Sequence, residues 1–415
     1  MINETYKSML SGKSVIRELN EYANDITRHP HLKPEDMFDY SLGNPSVPVP
    51  EAFNARIKAL LDSGDPMLVH GYSPSLGIPA AREKIAASLN RRFGMRYTMD
   101  DIFMTSGAAG ALAHAFRLVT KPGDEILLTQ MEHHANIVPW QIAAEHTGAE
   151  IKVVKILPDG SLDMGDLKNK LSEKTKIVSV AHASNVLGTI NDIAAIGAMA
   201  HSAGAKFCVD AAQSAPHFLD DISKSNCDFL SLSAHKLFGP TGIGALIAKR
   251  EILDSMPPYQ GGDMIDSVSW SGTTFRPSPE RFEAGTPDIA GAFGFSAAID
   301  YLRKLDIPAA REHEHRLLDQ LTKRLSDIKN LKIFGAAKDK VCVVSFSVAG
   351  VHPNDISVLL NASGIAIRTG HHCAEPLMGT LGVDATARAS LAFYNTAEEV
   401  DFFADKLERA VAMLA

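Results

Sequence analysis

Between residues 100 and 250 short apolar runs alternate with segments of helix length. The runs are DIFMT (101–105), EILLT (125–129), IKVVKI (151–156), KIVSVAH (176–182), KFCVDA (206–211), DFLSLSAH (228–235) and GALIAK (244–249). Strand-length runs separated in this way predict a mainly parallel sheet with helices on both faces, an α/β fold. After about residue 295 the pattern changes. Long amphipathic stretches, AAIDYLRKL (297–305) and REHEHRLLDQLTKRLSDI (311–328), accompany two β-like runs, VCVVSFSV (341–348) and IAIRTG (365–370). The expected division is a large domain over 46–295 and a smaller α/β domain over 296–415. The segment 1–45, with SVIRELNEYANDI (14–26) as its apolar-periodic part, is expected to pack on the smaller domain.

In open parallel sheets ligands gather beyond the carboxyl ends of the strands. His182, Asp210 and Lys236 fall at or just past such ends. The chain has 415 residues, is 45% hydrophobic, and carries a formal charge of −8 with both signs interspersed. That balance offers no electrostatic footprint for nucleic acid or an anionic membrane. No leader-like or membrane-spanning stretch is visible, so a cytoplasmic enzyme acting on a small molecule is expected. Cys208, Cys227, Cys342 and Cys373 are scattered without a CxxC pair. This speaks against a disulfide framework and a zinc ribbon, and no metal site is expected. Cysteine chemistry, if any, must come from a single thiol.

Ser231 to Lys236 read as a strand ending in a lysine, followed by the glycine-rich turn Phe238–Gly244. A lysine there either snorkels to water or serves as an amine, and a partly desolvated amine suits Schiff-base chemistry. One strand earlier Asp210 closes the run Phe207–Val209. Alone it would read as a helix cap; one strand before Lys236, it reads as the anion that keeps a pyridine nitrogen protonated in pyridoxal phosphate catalysis. Ser106, Gly107, Ala108 and Ala109 form a small-residue junction between a strand and a helix, a plausible phosphate cradle of backbone N–H groups. Cys373 differs from the other cysteines. They sit in or beside apolar strands, whereas Cys373 lies in the polar loop Arg368–Ala374 beside a cation and two imidazoles, a setting that raises a thiolate fraction.

These features, in this order, resemble fold-type I pyridoxal-phosphate enzymes. From residue 131 onward the resemblance narrows to class V aminotransferase-like proteins, specifically group II cysteine desulfurases of iron–sulfur assembly. It is carried by MEHHANIVPWQ (131–141), AHASNVLGTIND (181–192), VDAAQSAPH (209–217), SAHKLFGPTGIG (233–244), RFEAGTPDIAG (281–291), IRTGHHCAEPLM (367–378) and ATARASLAFYNTAEEVD (385–401). The resemblance implies that Lys236 holds the cofactor and moves protons, Asp210 pairs with its ring nitrogen and Gln213 contacts its phenolic oxygen. His133 would stack on the ring, with His134 structural. Ser233, His235 and Thr286 from a neighbouring subunit would bind phosphate, which implies a homodimer. Asn185 and Arg388 would grip the substrate carboxylate, with Arg368 and His70 also at the substrate. Cys373 would take the sulfur of L-cysteine as a persulfide, release L-alanine and pass the sulfur to an acceptor protein.

The first quarter resembles class I/II aminotransferases instead, through YSLGNPSVPVP (40–50), HGYSPSLGIPAAREKI (70–85) and TSGAAGAL (105–112). Two other activities of the same architecture therefore stay open, selenocysteine cleavage and transamination. A rival of another kind is a sulfur carrier that has kept the fold and lost turnover.

Overall fold

The structure, a computed structural model, describes residues 33, 38–40, 50–63, 78–115, 120–217, 222–258, 260–261, 264–283 and 288–414. The expected helix within 14–26, together with His70 and Thr286, lies outside them. All seven predicted strands of the large sheet form: β2 (Ile102–Thr105), β3 (Glu125–Thr129), β4 (Glu150–Val154), β5 (Thr175–Ala181), β6 (Lys206–Asp210), β7 (Phe229–Ser233) and β8 (Gly244–Ala248). Their order is β2-β8-β7-β6-β5-β3-β4, and only β8 runs antiparallel to its neighbours. Period-2 alternation sorts the side chains onto two faces. Leu127, Val178, Val209 and Leu230 enter one core, while Ile126, Ile177, Cys208 and Phe229 enter the other. Strands buried on both faces read as unbroken apolar runs, which is why the sequence discloses them so clearly.

The second sheet holds β1 (Phe38–Tyr40), β11 (Leu331–Phe334), β12 (Val343–Val348), β13 (Ile365–Gly370) and β14 (Thr386–Ser390), in the order β1-β13-β14-β12-β11. The pairs among β11 to β14 are antiparallel, and β1 joins β13 in parallel. Helices Ile307–Ser326, Pro353–Asn361 and Ala397–Leu414 pack their apolar stripes over this sheet, around Phe346, Leu360 and Phe403. The sequence pattern discloses only β12 and β13. β11 is short and carries Lys332, and β14 (TARAS) places a fully buried arginine where an apolar residue would be expected. An unforeseen hairpin, β9 (Ile265–Ser269) with β10 (Gly272–Phe275), is mostly exposed and carries Trp270 at its turn.

His217, in the turn after β6, pairs through Nδ1 with Glu314 Oε2 at 2.7 Å on the helix Ile307–Ser326. The strand that ends in Asp210 is thereby tied to the part of the chain that carries the second sheet. No helix among the described residues is long and apolar enough to cross a membrane.

Candidate active site

A cavity of about 430 Å³ opens beyond the carboxyl ends of β5, β6 and β7. Its wall contains Ala108, His133, Asn185, Asp210, Gln213, Ser233, His235, Lys236, Arg368 and Arg388, all singled out from the sequence. Ala135, Ala181, Ala183, Ala212 and Thr241 complete it. Ser106, Gly107 and Cys373 are not on the wall, and the side chain of Ala109 is not among those described.

The lysine is placed differently from the sequence expectation. β7 ends at Ser233, and Lys236 lies in the following 3-10 turn Ala234–Leu237, which closes on Phe238 in the left-handed region, φ 63°. From this turn Lys236 joins the cavity wall. Burial pulls the Lys236 amine below the usual lysine range; Asp210 opposes that shift and Arg388 adds to it. An amine that gives up its proton more readily is a better nucleophile and base. Asp210 accepts the Ala212 N–H at 2.9 Å, and burial raises its carboxyl above the ordinary range. A cation docked against it would reverse that shift.

Beside Lys236 the chain builds a small cradle. The N–H of Ala108, in the first turn of the helix Gly107–Ala115, donates to Ser233 Oγ at 2.8 Å. The hydroxyl proton of Ser233 stays available to an anion. Close approach here depends on glycine. A Cβ on Gly244 would lie 2.3 Å from Leu232 O and 2.6 Å from Gly107 Cα.

Also on the wall, His133 caps the turn His134–Asn136 by accepting the Ala135 N–H on Nδ1 at 3.0 Å. Burial, then the Lys236 charge, push its pKa down to about 3, so the ring is neutral. An Nδ1 that accepts leaves the proton on Nε2. The turn is anchored by Glu132, which is fully buried. Its carboxyl accepts Thr129 Oγ1–H at 2.5 Å, Asn136 Nδ2–H at 2.6 Å and the Ala181 N–H at 2.9 Å. Burial, with Asp210 contributing, raises Glu132 to about 7 against those hydrogen bonds.

Cys373 meets the cavity through Arg368, which lines it. Arg368 Nη2 donates to its Sγ at 3.2 Å. His372 and Cys373 are consecutive left-handed residues, φ 54° and 57°, a conformation that costs non-glycine backbone on the order of 1–3 kcal/mol each. Several contacts hold them. Asn185 Nδ2 donates to His372 O at 2.7 Å, and the buried His372 ring meets Thr386 Oγ1 at 2.8 Å. Arg388 is 1% exposed. Its Nη1 donates to Asn185 O at 2.8 Å, while Nε and Nη2 have no hydrogen-bond partner among the described residues. Burial, with the nearby Arg368, pulls Arg388 down to about 9. Two guanidinium groups at one cavity, both with buried donors to spare, are arranged for a carboxylate.

The residues present fit pyridoxal 5′-phosphate. A buried carboxyl suits a ring N–H cation, a desolvated amine suits the aldehyde, and the Ala108–Ser233 cradle suits the phosphate. Sequence reasoning passed over three contributors. Thr241 lies in the glycine-rich turn already singled out, whereas Glu132 and His372 adjoin candidate residues and show their role only through burial.

A family model described as Aminotransferase class-V matches residues 75–403. A probable cysteine desulfurase of Xylella fastidiosa is 42% identical over 398 residues, 94% of each chain. That alignment is too long to be confined to the part after residue 130, so the likeness reaches into the first quarter. A probable cysteine desulfurase of Halalkalibacterium halodurans is 45% identical over 338 residues, 80% of this chain and 82% of the relative. Among solved structures, the cysteine desulfurase CsdA from Escherichia coli superposes with a TM-score of 0.82 at 33% identity, covering 95% of this chain and 99% of that one. An apo cysteine desulfurase from Thermococcus onnurineus gives 0.81 at 32% identity, with 92% and 96% covered.

Proposed function

The chain belongs to the aminotransferase class-V family, and on that premise we propose that it is a pyridoxal-phosphate-dependent cysteine desulfurase, of group II by its motifs. It converts L-cysteine to L-alanine and keeps the sulfur on Cys373. One observation carries the reading: Arg368, which lines the cavity together with Lys236, Asp210 and the spare donors of Arg388, reaches the Cys373 thiol with a hydrogen bond at Sγ.

Lys236 would hold the cofactor, Asp210 its ring nitrogen, Gln213 its phenolic oxygen, and Ser233, His235 and the Ala108 region its phosphate, with neutral His133 against the ring. When bound, the cofactor supplies an electron sink that stabilises negative charge at the substrate α-carbon. Arg388 receives the substrate carboxylate on Nε and Nη2, and the second N–H of Asn185 Nδ2 reaches the same cavity. Lys236, poised by desolvation, takes and returns a proton at the α-carbon. Arg368 holds the Cys373 sulfur by the hydrogen bond its Nη2 donates to Sγ. The thiolate attacks the substrate sulfur. A sulfur–sulfur bond forms as the Cβ–S bond breaks, the electron pair stays with the carbon fragment, and that fragment takes up protons to leave as L-alanine. The enzyme retains a persulfide.

A homodimer completed by Thr286 and His70 from the neighbouring chain, and an acceptor protein for the sulfur, belong to the same proposal. The four cysteines are all free thiols, in keeping with a reducing compartment such as the cytoplasm.

The test is to supply L-cysteine to the cofactor-loaded enzyme and measure alanine together with the mass of Cys373. Added sulfur on Cys373 and stoichiometric alanine are expected, and Cys373→Ser abolishes both the adduct and reductant-dependent sulfide release. Wild-type sulfide release by Cys373→Ser would remove the persulfide role. A keto acid product would replace desulfuration with transamination, and turnover of selenocysteine alone would reassign the substrate.

A further inference from the structure

We propose that His134 is the positioning residue for the Cys373 thiol, clamping the cysteine loop to the same turn that presents His133 to the cavity. The inference rests on the reading of Cys373 as sulfur acceptor given above. His133 lies on the cavity wall, whereas its neighbour does not. His134 directs both a main-chain and a side-chain hydrogen bond to the cysteine loop. Its main-chain N–H donates to Cys373 O at 2.7 Å, and its Nε2 accepts the Glu375 N–H at 2.9 Å. The two bonds bracket the loop, one at the cysteine itself and one two residues further on.

What they hold is a conformation the backbone would otherwise leave. His372 and Cys373 are both left-handed without being glycine, and such residues persist only where the surroundings over-determine them. Asn185 and Thr386 fix His372, by its carbonyl and by its ring. The bonds that carry Cys373 O and Glu375 N across to the turn after β3 both end on His134. The side-chain bond needs an imidazole nitrogen without a proton. Burial lowers the His134 pKa and so keeps that nitrogen an acceptor, with Glu375 opposing and His371 assisting. One dipeptide therefore positions two groups at once, the ring that faces the cavity and the loop that bears the thiol.

The experiment compares His134→Ala and His134→Gln with the wild-type holoenzyme. A nucleophile misplaced by about 1 Å loses on the order of a hundredfold in rate. For His134→Ala the expected loss in kcat for alanine formation is about 10- to 100-fold, with KM for L-cysteine within about twofold, because Arg388 stands on another element. Hydrogen exchange of the peptide spanning residues 370–376 speeds up by about fivefold or more. In His134→Gln the new side chain places an amide oxygen near the lost acceptor, so this variant restores part of both quantities. Bound-cofactor absorbance stays at the wild-type level in both variants. Unchanged exchange in His134→Ala overturns the clamp. Faster exchange with unchanged kcat overturns its catalytic relevance, and loss of cofactor absorbance makes the residue a folding element instead. If the wild-type enzyme forms no alanine, the desulfurase reading fails, and the exchange comparison still decides whether His134 holds the loop.

Discussion

Arg388 offers the sharpest quantitative test of the site. Of its three nitrogens, Nη1 is committed to Asn185 O, while Nε and Nη2 are buried without a partner among the described residues. A substrate carboxylate would satisfy both in a paired arrangement. The variant Arg388→Lys keeps a cation on a stem of similar length but offers a point charge in place of the fork. At least one charge-assisted hydrogen bond is lost, about 1.5–3 kcal/mol, or about 10- to 150-fold in kcat/KM. Arg388→Met also leaves Asn185 O unpaired and removes the charge, so about 30- to 5,000-fold is expected from the 2–5 kcal/mol typical of a truncated buried pair. The assay is the initial rate of alanine formation over a range of L-cysteine concentrations, with bound cofactor measured by absorbance. Should Arg388→Lys fall within about threefold of wild type while fully loaded, the loss of a charge-assisted bond assumed here would be wrong, and the carboxylate must bind elsewhere.

Three further outcomes follow from buried groups. Glu132 titrates near 7 in the folded chain, above its ordinary 4.5. The native state therefore binds the extra proton between those values, and stability falls as pH rises from about 4.5 to about 7, by on the order of 3 kcal/mol. Glu132→Gln has no such titration, so its stability relative to wild type grows across that window in denaturant melts; a gap that stays constant from about pH 4 to about pH 8 would contradict the linkage. Gly244→Ala drives a Cβ to 2.3 Å from Leu232 O. It is expected to cost about 1–3 kcal/mol in unfolding free energy and to weaken cofactor retention, and an unaltered unfolding midpoint would show that the β7–β8 contact yields freely. Under native conditions a thiol alkylating agent is expected to modify Cys373 ahead of Cys208, Cys227 and Cys342, which are buried and whose thiols burial pushes upward, Cys227 to about 11. Equal labelling of all four, read by mass spectrometry, would refute that ranking.

The large sheet is legible in the sequence because its strands are covered on both faces, so burial writes itself as continuous apolar runs. The smaller sheet is half legible for the opposite reason. β14 carries Arg388 to the cavity wall from a buried strand, and that arginine erases the apolar signal that would have identified the strand. Lys236, Asp210, His133 and Cys373 stand out through residue type and order along the chain. The partners that aim them do not. Glu132, His134 and Thr386 act through hydrogen bonds between segments far apart in sequence, such as Glu132 with Ala181 and His134 with Glu375, and no local pattern encodes such a pairing. The sequence places Lys236 one turn too early because a strand end and a 3-10 continuation share the same residues.

The reversed strand β8 restricts where this chain tolerates being cut or lengthened. In the order of the sheet, β2 touches the remaining strands only through β8, so the helix that starts at Gly107 and the turn that bears Lys236 are spaced by one shared hairpin. A circular permutant opened between residues 238 and 243, or an insertion there, would leave that spacing to the Ala108–Ser233 hydrogen bond and the packing of the helix on β7. The same operation in the exposed hairpin around Trp270 would leave that spacing intact.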